Sequence, residues 1–472
     1  MTFNTLIQKS IYILCFVALV SSCKLVEPPQ IPQAKELPTT FIGDEDTISM
    51  GDLIWENFFN DKYLVDLIDI ALQNNPDQLQ AIQRVEIARA NLQIRKGALQ
   101  PSLNGRFGAN VGSGINDNII ANNSNDQNES NLVQNYFLGL QSSWEIDIWG
   151  KLKNRREAAY ARYLASEKGK QLVTTTLVAE VARLYYELLG LDNELETIRK
   201  NIEFQEVALE MIKIQKLGGR ATELAVQQFT AQLLRTQSLG IEKQQRIIEV
   251  ENQLNFLLGR YPQTIERGES ILDQHLPEVV RAGIPADMLL RRPDIQQAEL
   301  ELTAAKADVE AARAAFLPTL TIDPYVGFNA NEMSLLFSTP ESLAAGFLGG
   351  LTAPIFSKNR IRSEYDRATA ETLEAYYGYQ KAVLTGYQEV ASNLKRVENY
   401  RNVYNLRQQE AEVLSNAVNT SNDLFAAGYA TYLEVITAQA RVLEAELSMT
   451  NTRKEIFVTL IDLYRALGGG WR

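Results

Sequence analysis

The chain has 472 residues, 22% of them charged, and a formal net charge of −12. This acidic balance argues against a nucleic-acid partner, because binding to a phosphate backbone depends on Lys and Arg side chains. With 45% hydrophobic residues, the chain has enough apolar material for a large folded body.

The N-terminus has a short apolar run over residues 11–20, just after Lys9. About ten residues are too few for a membrane-spanning helix, which takes roughly 20, but they suit a secretory signal. The following Leu19-Val20-Ser21-Ser22-Cys23 resembles a bacterial lipobox, where the signal is cut before a cysteine that is then acylated, as with palmitate. The sequence predicts a lipoprotein signal peptide over residues 1–22 and lipidation of Cys23. An ordinary signal peptide with an incidental cysteine is the alternative.

Proline is distributed unevenly along the chain. Four closely spaced prolines predict an extended, lipid-anchored tether over residues 23–54. No proline occurs over 102–261 or 355–472, and such stretches favour very long helices. We expect one helix over 151–217, about 100 Å long at the standard rise, and a similar one over 358–426. A heptad pattern in the first helix supports this expectation; it consists of Leu177, Val181, Leu184, Leu188, Leu191, Leu195, Ile198 and Ile202.

The two halves of the chain repeat the same features at nearly constant offsets, first 217 and then 209 residues. The sequence therefore predicts two repeats, residues 55–270 and 271–472. Each has the order helix, two strands, long helix, turn, long helix. Matching segments are Asn75-Pro76-Asp77 with Arg292-Pro293-Asp294, Glu180-Val181-Ala182 with Glu389-Val390-Ala391, Gly219 with Gly428, and Leu258-Gly259 with Leu467-Gly468.

The strands are indicated by alternation of apolar and polar residues. In the first strand, Leu103 and Phe107 alternate with Asn104 and Arg106. About ten such residues suit a transmembrane β-strand, although a half-buried soluble sheet has the same pattern. Four strands cannot close a membrane barrel, because the smallest have about eight, so several chains would have to pool their strands. The predicted strands are about 101–113, 132–149, 318–331 and 343–356.

A set of segments in the chain resembles the TolC-like outer-membrane factors, specifically the NodT/OprM-type lipoproteins of efflux systems. The resemblance implies a homotrimer, with twelve pooled strands in one β-barrel joined to a long antiparallel α-helical barrel in the periplasm. It also implies two partners, a periplasmic adaptor (membrane fusion protein) and an inner-membrane pump of the RND type. The segments that carry it are Trp144–Leu152, Leu289–Ile295 with Ala298-Glu299, Ala315–Leu320, Ala353–Phe356 and Leu463–Trp471.

The turn between the last two helices resembles the pore-closing tip of this family. TolC-type tips carry two acidic residues, three apart, just after the turn; Glu434 matches the first position, while Thr437 occupies the second. The resemblance implies a ring of three Glu434 carboxylates at the periplasmic gate. Arg220, in the matching turn of the first repeat, could pair with this ring, and Gly219 and Gly428 would form the turns. The alternative is that Glu434 faces solvent on the outer helix surface.

The sequence offers no feature typical of catalysis. His275 is the single histidine, and Cys23 would be the single cysteine of the mature chain. We therefore expect no enzyme, no metal site and no cofactor apart from the covalent lipid on Cys23. The predicted function is a passive exit duct for substrates delivered by the pump. Alternatives are a structural coiled-coil lipoprotein of the periplasm and a soluble carboxylate-dependent hydrolase.

Overall fold

The structure is a computed structural model that describes residues 30–33, 36–41, 49–113, 132–275, 281–354 and 358–471. Several sequence predictions lie outside these residues. They are the signal peptide, the acylation site Cys23, part of the tether and the last two residues of the predicted fourth strand.

The described chain is mostly helical and has four strands, as the sequence predicts. The order helix, strand, strand, long helix, long helix occurs twice. None of the helices in the described residues has both the length and the apolar character needed to cross a membrane. The helices are α1 (Trp55–Phe58), α2 (Lys62–Asn74), α3 (Pro76–Gly97), α4 (Lys151–Leu217), α5 (Glu223–Leu257), α6 (Pro285–Arg291), α7 (Pro293–Ala314), α8 (Lys358–Ala426) and α9 (Tyr432–Ala466). The strands are β1 (Ser102–Ser113), β2 (Leu132–Ile146), β3 (Thr319–Ala330) and β4 (Leu343–Thr352).

The long helices α4 and α8 have 67 and 69 residues, in agreement with the two proline-free stretches. Nothing inside either helix removes a backbone donor, so the i to i−4 hydrogen bonds continue without a break. Most of the stability of such helices comes from packing of their apolar positions rather than from intrinsic propensity.

The described chain forms two compact units. One includes Ile87–Tyr163 and Leu300–Tyr377, and the other comprises Gln33–Glu86, Leu164–Glu299 and Gly378–Arg472. The limits of the units fall inside α3, α4, α7 and α8, so each unit combines segments from both halves of the sequence. The division into two sequence repeats therefore stays a prediction about duplication, and it does not coincide with the compact units.

The four strands form one antiparallel sheet in the order β1-β2-β3-β4, with β1 and β4 at its edges. The register places apolar residues opposite one another from strand to strand. One row consists of Phe107, Leu138, Phe328 and Leu343. On the other side of the sheet, Asn104 pairs with Gln141, whose side chain accepts a hydrogen bond from Arg106 at 3.2 Å. The sheet thus has one apolar and one polar face.

Two strands end earlier than the sequence predicts. Strand β2 ends at Ile146 because the next residue, Asp147, turns its carboxylate toward the start of α4. That carboxylate accepts hydrogen bonds from the backbone N–H groups of Leu152 at 3.0 Å and Lys153 at 2.7 Å. The N-terminus of a helix favours an anionic group of this kind. Strand β4 ends at Thr352 because its neighbour β3 begins directly opposite.

Within the second compact unit, a buried hydrogen-bond network holds the segment that follows α5. The hydroxyl of Tyr185 donates to Oδ2 of Asp61 at 2.6 Å and accepts from the N–H of Gly268 at 2.9 Å. Burial and the Asp61 carboxylate raise the pKa of Tyr185, so the hydroxyl keeps its proton. The network sits in the apolar core formed by α2, α4, α5 and α9.

Two residues at matching positions of the predicted repeats make similar hydrogen bonds. In the first repeat, Nδ2 of Asn75 donates to the carbonyl of Leu257, at the end of α5, at 2.9 Å. In the second, Nη1 of Arg292 donates to the carbonyl of Ala466, at the end of α9, also at 2.9 Å. Both donors therefore satisfy a terminal helix carbonyl that lacks an intrahelical partner.

Candidate functional site

Short turns join α4 to α5 and α8 to α9, and both have the same backbone geometry. Gly219 and Gly428 have φ values of +71° and +82°, a conformation that favours glycine. In both turns the residue after the glycine donates its N–H to a carbonyl five residues earlier, at 2.8 Å. This is the Schellman ending of a helix. Both glycines therefore have a structural role in stopping the long helices.

The structure gives Glu434 a local role at the second turn. Its carboxylate accepts hydrogen bonds from the hydroxyl and the backbone N–H of Thr431, which is the N-cap of α9. The arrangement is a capping box, and its Thr-x-x-Glu signature is visible in the sequence but was missed there. The Thr431 hydroxyl and then its N–H lower the pKa of Glu434, so this exposed carboxylate is charged at neutral pH.

The other predicted gate residues are exposed and do not converge on Glu434 within one chain. The hydroxyl of Thr437 donates to the carbonyl of Leu433 at 2.7 Å, so it is engaged with its own helix. Among the described residues no ion pair joins Arg220 to Glu434. In the first turn the ion pair is instead between Lys216 and Glu223.

The two turns lie next to a common apolar cluster. Phe229 of α5 and Ile212 of α4 are each 2% exposed, and Val435 of α9 packs with them and is equally buried. Because Val435 directly follows Glu434, the capped start of α9 is held against the first helix pair. Movement of the second turn away from the first would have to break this contact.

The apolar face of the sheet is uncovered in the single chain. Contiguous exposed apolar surface of this kind indicates an interaction with another apolar phase or protein. The side chains on this face that are 48–70% exposed are Leu103, Phe107, Leu140, Val326, Leu343, Phe347 and Leu351. The edge strands β1 and β4 also keep backbone groups that no described strand pairs.

Two helices carry exposed apolar residues at heptad spacing. On α5, Leu234, Ile241 and Ile248 follow one another every seven residues and are 51–69% exposed. On α8, Leu406 and Val413 show the same spacing and are both 66% exposed. A seam of this kind packs against another helix. The sequence analysis identified a heptad pattern only in the first long helix and did not identify these residues.

Arg292, which the sequence analysis named only within matching and family-like segments, lies 6% exposed at a junction of three helices. Its guanidinium pairs with Asp294 of α7 at 2.6 Å and with Glu389 of α8 at 2.7 Å. Together with the hydrogen bond to the end of α9, these contacts make Arg292 a positioning residue for the α-helical part of the second repeat.

Paired long helices joined by short turns, together with an open sheet whose apolar face is bare, are features that suit a channel-forming protein of the outer membrane. Residues 67–260 and 284–469 match the family model described as outer membrane efflux protein, and the chain belongs to this family. The sequence-based assignment to the TolC-like outer-membrane factors is thereby confirmed.

Similar proteins agree with this assignment. The pyoverdine export outer membrane protein OpmQ of Pseudomonas aeruginosa is 31% identical over 419 residues, covering 89% of this chain and 87% of its own. The probable outer membrane lipoprotein SilC of Salmonella typhimurium is 28% identical over 427 residues, covering 90% and 89%. The Neisseria gonorrhoeae MtrE outer membrane channel is 26% identical in sequence. The crystal structure of its open state superimposes on this chain with a TM-score of 0.83, and the match covers 94% of this chain and 98% of the MtrE chain.

The chain is therefore an outer-membrane channel component of a tripartite efflux system, as predicted. Its relatives are transport proteins rather than enzymes. The coarse fold, a mostly helical channel protein with a four-stranded antiparallel sheet, is also confirmed.

Proposed function

We propose that three copies of the chain close one passive export duct, with a shared β-barrel in the outer membrane and a helical barrel in the periplasm. The open sheet carries the pooling of strands, because one copy supplies four and the smallest membrane barrels have about eight. The count of three copies, and hence of twelve strands, comes from the resemblance to the TolC-like outer-membrane factors. Edge strand β1 of one copy would pair with β4 of the next, which leaves no unpaired backbone in lipid. The exposed heptad residues of α5 and α8 would form the matching helical seams.

The particle mass tests this assembly. Transferred from detergent into an amphipathic polymer, the mature protein should have, by native mass spectrometry, three times the mass of its own denatured single chain. That single-chain mass is below the 53.0 kDa of the whole sequence because residues 1–22 are removed. A single-chain mass in a preparation that conducts ions would contradict the pooled barrel. A single-chain mass in a preparation that does not conduct ions would favour the alternative of a structural coiled-coil lipoprotein.

We further propose that the duct receives its substrates from an inner-membrane pump of the RND type through a periplasmic adaptor, with no chemistry of its own. The family membership supports both partners. OpmQ is named for pyoverdine export, which shows that relatives can serve the export of a specific metabolite. Cross-linking from an exposed turn residue such as Tyr429, 85% exposed, should capture the adaptor in cells.

The N-terminal anchor leads to a direct prediction. Cys23→Ser should abolish incorporation of labelled palmitate, because the acylated sulfur is lost, and should reduce retention in the membrane without preventing barrel insertion. Mass spectrometry of the mature N-terminus measures both cleavage and acylation. Cys15→Ser is the matched control, since Cys15 leaves with the signal peptide. Undiminished labelling of the Cys23→Ser protein would contradict the assignment.

For the gate we propose that the three copies of Glu434 surround the narrow periplasmic end of the duct. A ring of like charges focuses the field and favours cations. Repulsion within the ring would raise the pKa of Glu434, against the lowering by Thr431 seen in one chain. Arg220 of a neighbouring copy could offset the repulsion, and an exposed pair contributes only about 0–1 kcal/mol. Thr437 leaves the second acidic position of the family tip without charge.

Glu434→Gln tests the ring with little effect on the turn, because glutamine also serves in a capping box. In planar-bilayer recordings, the ratio of cation to anion permeability and the block by multivalent cations should both decrease. Glu223→Gln, in the first turn, is the control for loss of an exposed carboxylate that pairs with Lys216 instead. Unchanged selectivity and block in Glu434→Gln would reject the ring.

A further inference from the structure

A cleft of about 690 Å³ lies beside the two turns, between the last part of α4 and the last part of α8. Its other lining residues are Phe229 of α5 and four residues of α9, and all of its lining residues belong to the second compact unit. The volume is within the range of about 300–1,000 Å³ typical of sites for drug-sized molecules.

Two glutamines in the lining of this cleft have amide atoms without a hydrogen-bond partner among the described residues. Gln205 of α4 is 2% exposed, and neither its Nε2 nor its Oε1 is paired. Gln439 of α9 is 7% exposed, and its Oε1 is unpaired. Buried polar groups are nearly always hydrogen-bonded, so two such amides in one cleft indicate a place where another molecule supplies the partners.

The outer part of the cleft is apolar. Phe204, Val207 and Met211 of α4 line it and are 69%, 65% and 52% exposed. An aromatic ring and a flexible thioether offer good contacts to a planar apolar body.

The charges in the cleft have one sign. Asp423 and Glu446 are the charged residues among the described ones that line it, and both are acidic. Glu446 accepts a hydrogen bond from Asn201 at 3.4 Å. Burial raises the pKa of Glu446, while Asn201 and Lys200 act in the opposite direction, so a cation placed nearby would favour its charged form.

We propose that this cleft binds an amphipathic organic cation of drug size. Its N–H or O–H groups would donate to Oε1 of Gln205 and Gln439, its apolar body would pack on Phe204 and Met211, and its charge would lie near Glu446. The chain thus has a ligand site between its helix pairs, close to the turns, in addition to its role as a duct. All of the residues that line the site come from one chain.

Ethidium, a planar aromatic cation with two amino groups, is a suitable probe. Fluorescence titration of the full chain in lipid nanodiscs should show saturable binding, one dye per chain. Gln205→Leu and Gln439→Leu should each weaken binding at least about ten-fold, because each removes a hydrogen bond in a desolvated site. Gln244→Leu, an exposed glutamine of α5 outside the cleft, should leave the affinity unchanged.

Folding and binding can be separated in these variants. Replacing an unpaired buried amide by leucine removes a desolvation cost, so the melting temperatures of Gln205→Leu and Gln439→Leu should be equal to or above that of the unaltered protein. Fluorescein, a planar anion, should bind at least about ten-fold more weakly than ethidium, since the cleft is acidic. Absence of saturable ethidium binding, equal binding in all three variants, or equal affinity for fluorescein would each overturn the proposal.

Discussion

Replacement of Leu140 by arginine is expected to prevent insertion of the protein into the outer membrane. Leu140 lies in the middle of β2, 48% exposed on the apolar face, between Gly105 of β1 and Val326 of β3. An arginine on the lipid side of a barrel costs about 2–4 kcal/mol near the membrane midplane, and every copy in an assembly bears this cost. Separation of membranes on a sucrose gradient should show the variant missing from the outer-membrane fraction.

Asn104→Arg is the matched control. Asn104 pairs with Gln141, the residue next to Leu140, so it lies at the same depth in the sheet but on the polar face. There an added guanidinium can remain in contact with water, and insertion should be normal. Normal insertion of Leu140→Arg, or equal failure of both variants, would mean that the apolar face does not contact lipid.

The helices and strands could be predicted because their signals are local and periodic. The long helices expected in the proline-free stretches, over 151–217 and 358–426, correspond to α4 and α8, and the alternation from Leu103 onward corresponds to β1. Strand ends were less accurate, since they depend on specific contacts. Asp147 continues the alternation in sequence, yet its carboxylate caps α4 and so ends the strand.

The functional residues were harder to predict because most of their partners are distant in sequence. Gln205 and Gln439 line one cleft although 234 positions separate them, and no local pattern distinguishes them from exposed glutamines. The capping role of Glu434 is different, since its signal is local: Thr431 precedes it by three residues. The prediction for Glu434 was based on its charge in the family tip and did not use the Thr-x-x-Glu signature.

The predicted duplication pairs positions along the sequence but does not give their chemistry. Asn75 and Arg292 occupy matching positions and both donate to the end of a long helix. The first does so with a neutral amide, whose Oδ1 also caps α3 by accepting from Asp77 and Gln78. The second does so with a buried cation, which requires the carboxylates of Asp294 and Glu389 close by. A substitution of Asn75 would therefore leave no charged partner behind, whereas a substitution of Arg292 would leave the carboxylates of Asp294 and Glu389 without theirs.

Arg292→Ala is expected to lower the stability of the protein by about 3 kcal/mol, at the lower end of the range for breaking a buried ion pair. The low end applies because the side chains of Asp294 and Glu389 are 27% and 31% exposed and can be partly hydrated once unpaired. The carbonyl of Ala466 would also lose its donor, which loosens the end of α9. Thermal unfolding followed by circular dichroism should show a clearly lower melting temperature.

Arg291→Ala provides the comparison for this prediction at the adjacent position. Arg291 pairs with Asp52 at 2.9 Å and Asp287 at 3.5 Å, whose side chains are 44% and 40% exposed. Pairs with such exposed carboxylates contribute about 0–1 kcal/mol, so this variant should melt close to the unaltered protein. Equal melting temperatures for the two variants would show that burial of Arg292 adds nothing beyond an ordinary surface ion pair. If Arg292→Ala melts at the lower temperature, as expected, less of this variant than of Arg291→Ala should reach the outer membrane. A loosened helix junction exposes the chain to periplasmic proteolysis before assembly.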